Sequence, residues 1–557
     1  MDDFLKSMTL EEKAAQLIVV RTLGSFQRID ELVGAGKVAG VGAIALRKGS
    51  LEELVGHINA LKAACRTPLT LYVDAETGLA QMLPYALRYP PNMAIGATGS
   101  AELARQVGRA IGEECRALGF TIIGSPVLDI NSNPQNPIVN TRAFGDRAED
   151  VCALGGAFVQ GLQSAGMIPC GKHFPGHGDT REDSHVEIPL VDRDRESLRR
   201  EELSPYYALA KEMWGVMTAH ICYPQLSAEC AQGLPATFSR TVIHDLLREE
   251  IGFEGLIVSD SLSMASVLER YGIEECAVRA VAAGHDVILQ DYNSDPMITL
   301  DAVVGAVRSG RIPLAQIDDS VARLIRYKKM AGALSRAPVD YERAKQMLES
   351  PEHRQLAKTI AERAVTLVRA QGAYPLERGL AGRTLALTTR GSEVDAGIRD
   401  FGLAGQRSDQ TFREEVQRRC SADVRIVSDD PDAEEIASVL EMARGYDTVL
   451  CAPFIRVVSY QKNSGVMTRG MHALLCALRA QQARLALILF GSPYPLAQLP
   501  EMDACLVGYG DDESCIRAAV SALFGEIPAP GRLPVTVSGE YPRGLRCAER
   551  KREERAV

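Results

Sequence analysis

The sequence predicts an α/β protein: an amino-terminal (β/α)8 barrel of the TIM type followed by a smaller αβα sandwich domain. Two observations predict it. Short apolar runs alternate with longer stretches of helical period, and strand–helix alternation builds parallel sheets. Eight such units in roughly the first 300 residues match the size of one barrel, although a doubly wound open sheet remains an alternative. The eight runs are Leu17–Val20, Val41–Leu46, Leu69–Val73, Thr121–Leu128, Ile168–Gly171, Gly215–Ala219, Leu256–Val258 and Val287–Leu289.

Helical segments fill the intervals between these runs. The first is preceded by a capping box, Thr9-Leu10-Glu11-Glu12, in which the Thr9 side chain can accept from the backbone of Glu12. The segment Gly34-Ala35-Gly36-Lys37 lacks the spacing of a phosphate-binding loop, and we interpret it as a turn before the second strand. Further helices are predicted at Ala101–Leu118, Ala148–Ala165, Arg195–Met213 and Ser239–Glu250.

A second series of apolar runs begins after residue 370 and predicts the sandwich domain. Its helical segments include Asp432–Arg444 and Arg469–Arg479. The runs are Leu385–Leu387, Val424–Val427, Val449–Cys451, Leu485–Phe490, Cys505–Gly508 and Val535–Val537. The predicted organisation is therefore a barrel at residues 1–335, linker helices at 336–370, the sandwich at 371–545 and a charged tail at 546–557.

Composition narrows the class of protein. The 557 residues carry 62 basic and 72 acidic side chains, a net charge of −10, which argues against nucleic acid or an anionic membrane as a partner. The 13 cysteines are odd in number and contain no C-x-x-C pair, so we expect free thiols in a reducing compartment. The amino terminus lacks the apolar core of a secretory signal, and no apolar run is long enough to span a bilayer. We expect a cytoplasmic protein.

Polar residues follow or end five of the predicted barrel strands. In a barrel the carboxyl ends of the strands form one mouth, which is where active sites lie. We therefore expect these side chains to converge, although each alone is also typical of a local cap or turn. They are Asp74, Asp129, Lys172-His173, His220 and Asp260.

The loop after the fifth strand carries three of the nine histidines, His173, His177 and His185. A metal site on these histidines with Asp179 and Asp183 is disfavoured, because Pro175-Gly176 opposes the helix that would present His173 and His177 together. Purely structural hydrogen bonding is a second interpretation. We favour acid–base catalysis, because in Asp183-x-His185 the carboxylate can accept one ring N–H while the other nitrogen faces a substrate.

No G-x-S-x-G nucleophile elbow occurs in the chain, so a nucleophile must come from elsewhere at the mouth. Asp260 ends an apolar strand, and a carboxylate is a competent nucleophile toward an anomeric carbon. A helix N-cap is the alternative role for an aspartate at this junction. Opposite the Asp183–His185 dyad we favour the nucleophile.

At these residues the chain resembles glycoside hydrolase family 3, and within it the β-N-acetylglucosaminidase (NagZ-like) branch. The loop K-H-F-P-G-H-G-D-T-x-x-D-S-H is similar to that branch's signature without a gap, and V-S-D-S-L-x-M is similar to its nucleophile strand. The family motif D-x-E-G-G-R is altered here, with Thr77 in place of a glycine and Leu79 in place of the arginine. Supporting segments are Thr9–Lys13, Pro126–Asp129, Asn140–Gly145, Met217–His220, Pro235–Thr237, Gly491–Tyr494 and Gly531–Val535.

The resemblance implies a retaining double displacement and no metal or organic cofactor. Asp260 would be the nucleophile, and His185, held by Asp183, would act first as general acid and then as general base. The implied substrate is a small carbohydrate, a GlcNAc-containing glycoside or muropeptide. Residues implied to hold the sugar are Asp74, Arg142, Lys172 and His173, with supporting or pocket roles for Asp129, His177 and His220.

The function implied first is an exo-β-N-acetylglucosaminidase that acts on peptidoglycan fragments in cell-wall recycling. An imidazole acid/base leaves a less anionic site than a second carboxylate would, so phosphate can compete with water and a phosphorylase is an alternative. Another family 3 β-glycosidase, with a carboxylate acid/base from the second domain, is a further alternative. A non-catalytic glycan-binding protein would require a broken catalytic set.

Overall fold

The computed structural model describes residues 2–21, 28–43, 46, 49–83, 85–371, 374–376, 383–391, 407–459, 464–481 and 484–547. The chain forms two compact units, neither of them continuous in sequence. We call them the barrel unit and the sandwich unit. The barrel unit comprises Met1–Leu87, Ala104–Asn133 and Arg147–His353, and the sandwich unit comprises Arg88–Leu103, Pro134–Asp146 and Arg354–Val557. The boundaries predicted at residues 335 and 370 remain predictions.

The barrel unit contains a nine-stranded parallel sheet in the order β5-β4-β3-β2-β1-β9-β8-β7-β6. The two ends of this path, β5 and β6, are separated in the chain by Cys170 alone, so the sheet comes almost full circle. This confirms the predicted barrel over the open sheet. The strands are β1 (Ile18–Val20), β2 (Gly40–Gly42), β3 (Thr70–Val73), β4 (Ile122–Ile123), β5 (Ile168–Pro169), β6 (Gly171–Phe174), β7 (Gly215–Thr218), β8 (Leu256–Ser261) and β9 (Val287–Leu289).

Each of the eight predicted apolar runs overlaps at least one of these strands, because their side chains are buried on both faces of the sheet. The parallel register is direct, as in Val20 opposite Val41 and Val41 opposite Leu71. The helices that begin in or belong to this unit are α1 (Asp2–Ser7), α2 (Leu10–Gln16), α3 (Ile29–Gly34), α4 (Leu51–Ala64), α6 (Ala101–Ala117), α7 (Ala148–Ser164), α8 (Arg195–Arg200), α9 (Ser204–Leu209), α10 (Ala228–Ala231), α11 (Ala265–Ala283), α12 (Pro296–Arg308), α13 (Leu314–Met330), α14 (Tyr341–Leu348) and α15 (Pro351–Ala364).

Local sequence signals account for several helix boundaries. The predicted capping box forms: Glu12 donates its backbone N–H to the Thr9 hydroxyl at 3.2 Å and accepts from the Thr9 backbone at 3.0 Å. The helix predicted at 195–213 is instead two short helices, α8 and α9, and residues Thr241–Glu250 form a π-helix. A turn with Gly36 at a φ of 72° follows α3, as predicted.

The sandwich unit has a sheet in the order β10-β16-β15-β13-β11-β12, with β14 paired to β15. All pairs are parallel except β10 with β16. Its strands are β10 (Thr366–Ala370), β11 (Thr384–Thr389), β12 (Ala422–Val427), β13 (Thr448–Ala452), β14 (Phe454–Ile455), β15 (Leu485–Gly491) and β16 (Ala504–Val507), and its helices are α5 (Asn92–Thr98), α16 (Ser408–Gln417), α17 (Ala433–Ala443), α18 (Arg469–Gln481) and α19 (Glu513–Leu523).

One predicted strand is wrong. Val535–Val537 pairs with no other strand, because the Val537 N–H closes a turn onto the Tyr541 carbonyl at 3.0 Å. Two strands of this unit have no predicted counterpart: β10, which lies within the segment predicted to be linker, and the short β14.

The described residues contain no helix that is both long and apolar enough to cross a membrane. All 13 cysteines are free thiols in the structure, and most of them are buried. Residues 548–557 of the predicted charged tail lie outside the described residues.

Candidate active site

Polar side chains from the carboxyl ends of the barrel strands meet in two groups. Asp74 directly follows β3, Lys172 and His173 belong to β6, and Asp260 lies near the end of β8. Lys172 reaches Asp74, whereas His173 reaches Asp129, which follows a bridge between Val127 and Lys172. The barrel therefore brings side chains from separate strands to one end, where parallel strands place their carboxyl termini.

The first group is built around Asp74. Its Oδ1 accepts from the Tyr72 hydroxyl at 2.6 Å and from Lys172 Nζ at 3.2 Å. Lys172 Nζ also lies 2.8 Å from Glu76 Oε1, and Arg21 Nη2 lies 3.6 Å from Asp74 Oδ2. Two carboxylates thus face two cations in a largely buried cluster, a geometry suited to hydrogen bonding several sugar hydroxyls.

A glycine makes room for this group. A Cβ on Gly124, just after β4, would lie 2.3 Å from the Tyr72 hydroxyl and 2.4 Å from Asp74 Oδ1. Only glycine fits there with the Tyr72–Asp74 hydrogen bond in place. Leu79, which replaces the arginine of the family motif, is fully buried at the start of a 3₁₀ turn, Leu79–Gln81.

The second group is built around Asp129, which is buried. Its Oδ1 accepts from the backbone N–H of His173 at 3.1 Å and of His177 at 2.7 Å, and its Oδ2 accepts from His173 Nδ1 at 2.6 Å. Burial alone would raise the pKa of Asp129, but the charge and hydrogen bonds of His173 and the charge of His177 bring it below its usual value. Asp129 therefore anchors the loop and sets the ring of His173.

Both ring nitrogens of His177 form hydrogen bonds to side chains of the same loop. The Thr180 hydroxyl donates to the His177 carbonyl, so the hydroxyl oxygen accepts from His177 Nδ1 at 2.7 Å. The other ring nitrogen of His177, Nε2, lies 2.8 Å from the Ser184 hydroxyl. A Cβ on the next residue, Gly178, would lie only 1.6 Å from the Ile130 carbonyl oxygen. The loop is consequently held against the strand-end backbone and closed on itself, directly before His185.

The predicted dyad forms in this loop. His185 Nδ1 lies 2.7 Å from Asp183 Oδ1, which also accepts from the His185 backbone N–H at 2.9 Å. The carboxylate can only accept, so Nδ1 carries the proton in this bond. The two side chains remain partly exposed, at 25% for His185 and 11% for Asp183. The Ser184 carbonyl accepts from the Ser266 hydroxyl at 2.6 Å, which ties the dyad to α11, the helix that follows β8.

Asp260 is half-buried and accepts from the Ser261 backbone N–H at 2.7 Å. Burial would raise its pKa, but His173, His220 and His185 lower it to about 2. The carboxylate is therefore ionised at neutral pH, as a nucleophile must be. It shares this environment with the imidazole of the dyad.

The His220 ring is hydrogen-bonded to the backbone at the end of β8. Its Nε2 lies 3.1 Å from the Ser261 carbonyl, which can only accept, and its Nδ1 lies 2.9 Å from the Thr237 hydroxyl. Burial lowers the pKa of His220 although Asp260 opposes this. The Nε2 proton of His220 therefore fixes the backbone next to Asp260.

The hydrogen bonds continue beyond His220 into the barrel. The Thr218 and Thr237 hydroxyls lie 3.4 Å apart, and Thr218 donates to Nε2 of His285 at 2.9 Å. Burial lowers the pKa of His285 to about 4. Sequence reasoning missed His285 and Arg21, since nothing adjacent to them marks a partner on another strand. It gave Glu76 no role, although Glu76 lies two residues after Asp74 in the altered D-x-E-G-G-R motif.

Arg142, predicted to hold the sugar, belongs to the sandwich unit rather than the barrel unit. It ends a 3₁₀ turn, Asn140–Arg142, and donates from Nη1 to the Ile138 carbonyl at 2.9 Å. Across the described ranges, no group of three or more histidine, cysteine, aspartate or glutamate side chains is arranged to hold a metal ion.

Comparison with known proteins decides the family. The model of the glycosyl hydrolase family 3 N-terminal domain matches residues 9–327, more than half of the chain. The chain belongs to glycoside hydrolase family 3. This family 3 chain is 28% identical over 547 residues to a β-N-acetylglucosaminidase/β-glucosidase of Cellulomonas fimi, covering 95% of this chain and 94% of that one.

Two further similarities place this family 3 chain more narrowly. A β-hexosaminidase of Pseudomonas aeruginosa is 40% identical over 242 residues, 42% of this chain and 69% of that protein. The structure of a family 3 β-N-acetylglucosaminidase from Paenibacillus sp. str. FPU-7 superposes with a TM-score of 0.84 at 31% identity, covering 96% of this chain and 99% of that one.

Proposed function

We propose that this glycoside hydrolase is a retaining exo-β-N-acetylglucosaminidase that releases terminal GlcNAc from β-glycosides. The observation that carries the proposal is the Asp183–His185 dyad, tied through Ser184 and Ser266 to the helix after the strand of the ionised Asp260. The names of the Cellulomonas fimi, Pseudomonas aeruginosa and Paenibacillus relatives support a GlcNAc substrate.

In the first half of the proposed reaction, the Asp260 carboxylate attacks the anomeric carbon while His185 protonates the departing glycosidic oxygen. With Nδ1 committed to Asp183, proton transfer falls to Nε2 of His185. The bond to the leaving group breaks as the bond to Asp260 forms, which yields a covalent glycosyl-enzyme and a neutral imidazole.

In the second half, neutral His185 removes a proton from water as the water oxygen attacks the anomeric carbon, and Asp260 leaves as a carboxylate. Asp183 stabilises the imidazolium that forms. Two inversions at the anomeric carbon give net retention.

Binding of the sugar is assigned to both groups described above. Asp74 and Lys172 offer an acceptor and a donor from one cluster, and His173 is held in place by Asp129. A role of Arg142 in holding the sugar stays a prediction from the family resemblance. We propose peptidoglycan fragments imported into the cytoplasm as the substrates.

The test follows an aryl β-GlcNAc substrate, with the aryl β-glucoside beside it, and reads the anomer released by NMR. Asp260→Ala is expected to abolish turnover while thermal melting stays within a few degrees of the wild type. Asp245→Asn, an exposed aspartate of the same unit, is the matched control and keeps full activity. Retained activity of Asp260→Ala, or an inverted product, contradicts the mechanism.

The same assay run in phosphate buffer, with mass detection of sugar 1-phosphate, separates the hydrolase from a phosphorylase. Free GlcNAc as the product both with and without phosphate supports the proposal. Sugar 1-phosphate as the main product in phosphate overturns the choice of water as acceptor. Faster turnover of the glucoside than of the GlcNAc substrate overturns the proposed sugar specificity.

A further inference from the structure

A cleft with a volume of about 520 Å³ opens at the amino-terminal end of the barrel strands. It is bounded by Leu69 and Leu71 at the start of β3 and by Thr121 just before β4. The strands are parallel, so this end lies opposite the carboxyl ends that carry Asp74 and Asp260. A volume of this size is typical of sites for small organic molecules.

Four cationic side chains line the cleft, each from a different element. Lys62 comes from α4, Arg116 from α6, Arg336 from the segment that follows α13, and Arg343 from α14. Lys62 and Arg116 are half-buried, whereas Arg336 and Arg343 are exposed at the rim.

Lys62, Arg116 and Arg343 form no ion pair with any carboxylate of the described residues. Arg116 donates to the Gly332 carbonyl at 2.5 Å. Burial and the charge of Arg116 lower the pKa of Lys62, and burial and the charge of Arg343 lower the pKa of Arg116. The fold thus holds three like charges close enough to destabilise one another, at a free-energy cost that a bound anion would remove.

The two carboxylates in the lining have other partners. Glu113 accepts from Arg109 Nε at 2.8 Å and lies 3.4 Å from His353 Nε2. Asp340 caps α14 by accepting from the Arg343 backbone N–H at 3.0 Å. Neither carboxylate forms an ion pair with Lys62 or with the Arg116 guanidinium. The positive charges of these two side chains are therefore not neutralised within the cleft.

We propose that this cleft is a second binding site, for a small organic phosphate monoester. Arg116 and Arg343 would hold the phosphate oxygens and Lys62 would add a third positive charge. A planar guanidinium fits a phosphate with two parallel hydrogen bonds, and a monoester carries nearly two negative charges at neutral pH. The organic part would contact the more accessible apolar residues of the lining, Ala337, Pro338 and Met347.

The position predicts how the ligand acts on turnover. Because the cleft and the proposed catalytic residues lie at opposite ends of the strands, an occupant need not displace the glycoside substrate. Ribose 5-phosphate is therefore expected to bind without raising the KM for an aryl β-GlcNAc.

Calorimetric titration of the full chain with ribose 5-phosphate, ribose and citrate tests the proposal. Ribose 5-phosphate is expected to bind and ribose is not. Arg116→Gln and Arg343→Gln are each expected to weaken binding at least tenfold, whereas Arg105→Gln, an exposed arginine of α6 outside the lining, changes it less than twofold. Arg343 is exposed, so its variant is expected to fold even if the Arg116 variant does not.

Three results would overturn the site. Absence of binding, or equal binding of ribose, removes the phosphate requirement. An affinity for ribose 5-phosphate that is the same in both arginine variants as in the wild type places the ligand elsewhere on the chain, for example at the active site. Tighter binding of citrate than of ribose 5-phosphate assigns the cleft to polycarboxylates instead.

Discussion

Replacing Asp183 with asparagine isolates what its negative charge contributes to the acid–base role that we propose for His185. The asparagine oxygen can still accept the 2.7 Å and 2.9 Å hydrogen bonds from the His185 ring and backbone, so the geometry is kept and only the charge is lost. A hydrogen bond to a charged group contributes about 1.5–3 kcal/mol and a neutral one about 0.5–1.5 kcal/mol. The imidazolium form is therefore expected to lose about 1–2 kcal/mol, or about 5–30-fold in the population of protonated His185 and in any step that creates imidazolium.

The two half-reactions respond differently, and the leaving group separates them. For methyl β-GlcNAc, whose departure needs a proton, kcat/KM is expected to fall about 5–30-fold. For a dinitrophenyl β-GlcNAc, kcat/KM is expected to be nearly unchanged, while kcat falls because attack of water needs the general base. Azide, a nucleophile that requires no base, is expected to restore kcat in Asp183→Asn.

Asp245→Asn serves again as the control, with no change expected for either substrate. Equal losses of kcat/KM for the methyl and dinitrophenyl glycosides would refute the reasoning, because they would mean that Asp183 supports folding or sugar binding rather than proton transfer. Failure of azide to restore kcat would refute the assignment of the base.

Two further predictions concern single buried groups. Asp129→Asn removes the charge that holds the His173 ring and two loop N–H groups, so a loss of about 3 kcal/mol in unfolding free energy and a higher KM are expected from denaturation curves and kinetics. A KM equal to that of the wild type counts against the anchoring role. Lys328 is buried, and burial lowers its pKa from 10.5 to about 7. The folded chain thus binds fewer protons than the unfolded chain between these values, so wild-type stability rises with pH there. Lys328→Met is expected to be more stable by a few kcal/mol near pH 7 and by less near pH 10, and an equal difference at both pH values would show that charge burial is not the cause.

Strand positions in the barrel could be predicted because both faces of the sheet are buried, which makes each strand a short run of apolar residues. Val535–Val537 shows where that signal fails. Its two valines lie in or against the buried core, yet the Val537 N–H bonds the Tyr541 carbonyl and the Thr536 N–H bonds Asp146. β10 shows the converse failure. Thr366–Ala370 is an antiparallel edge strand directly after a helix, and its short mixed sequence resembles a continuation of that helix.

The hydrogen-bonded pairs of the candidate site also differ in how far they could be predicted, according to the distance between the two residues in the sequence. Asp183 and His185 are two residues apart, so their pairing could be predicted from spacing alone. Asp129 and His173 are 44 residues apart, and Thr218 and His285 are 67 apart. Such pairs depend on which strands are neighbours and on how far each strand extends, which the sequence pattern sets only to within a few residues.

The interleaving of the two units has a consequence for recombination and for truncation. Residues 88–103 and 134–146 lie between barrel strands in the chain but pack with the carboxyl-terminal segment after His353, where Met93, Ala94 and Ala97 join its buried core. A cut after His353 would leave these apolar side chains without their neighbours, and the shortened product is expected to aggregate. The carboxyl-terminal segment therefore cannot be exchanged between genes at a single crossover point without also replacing both inserted segments.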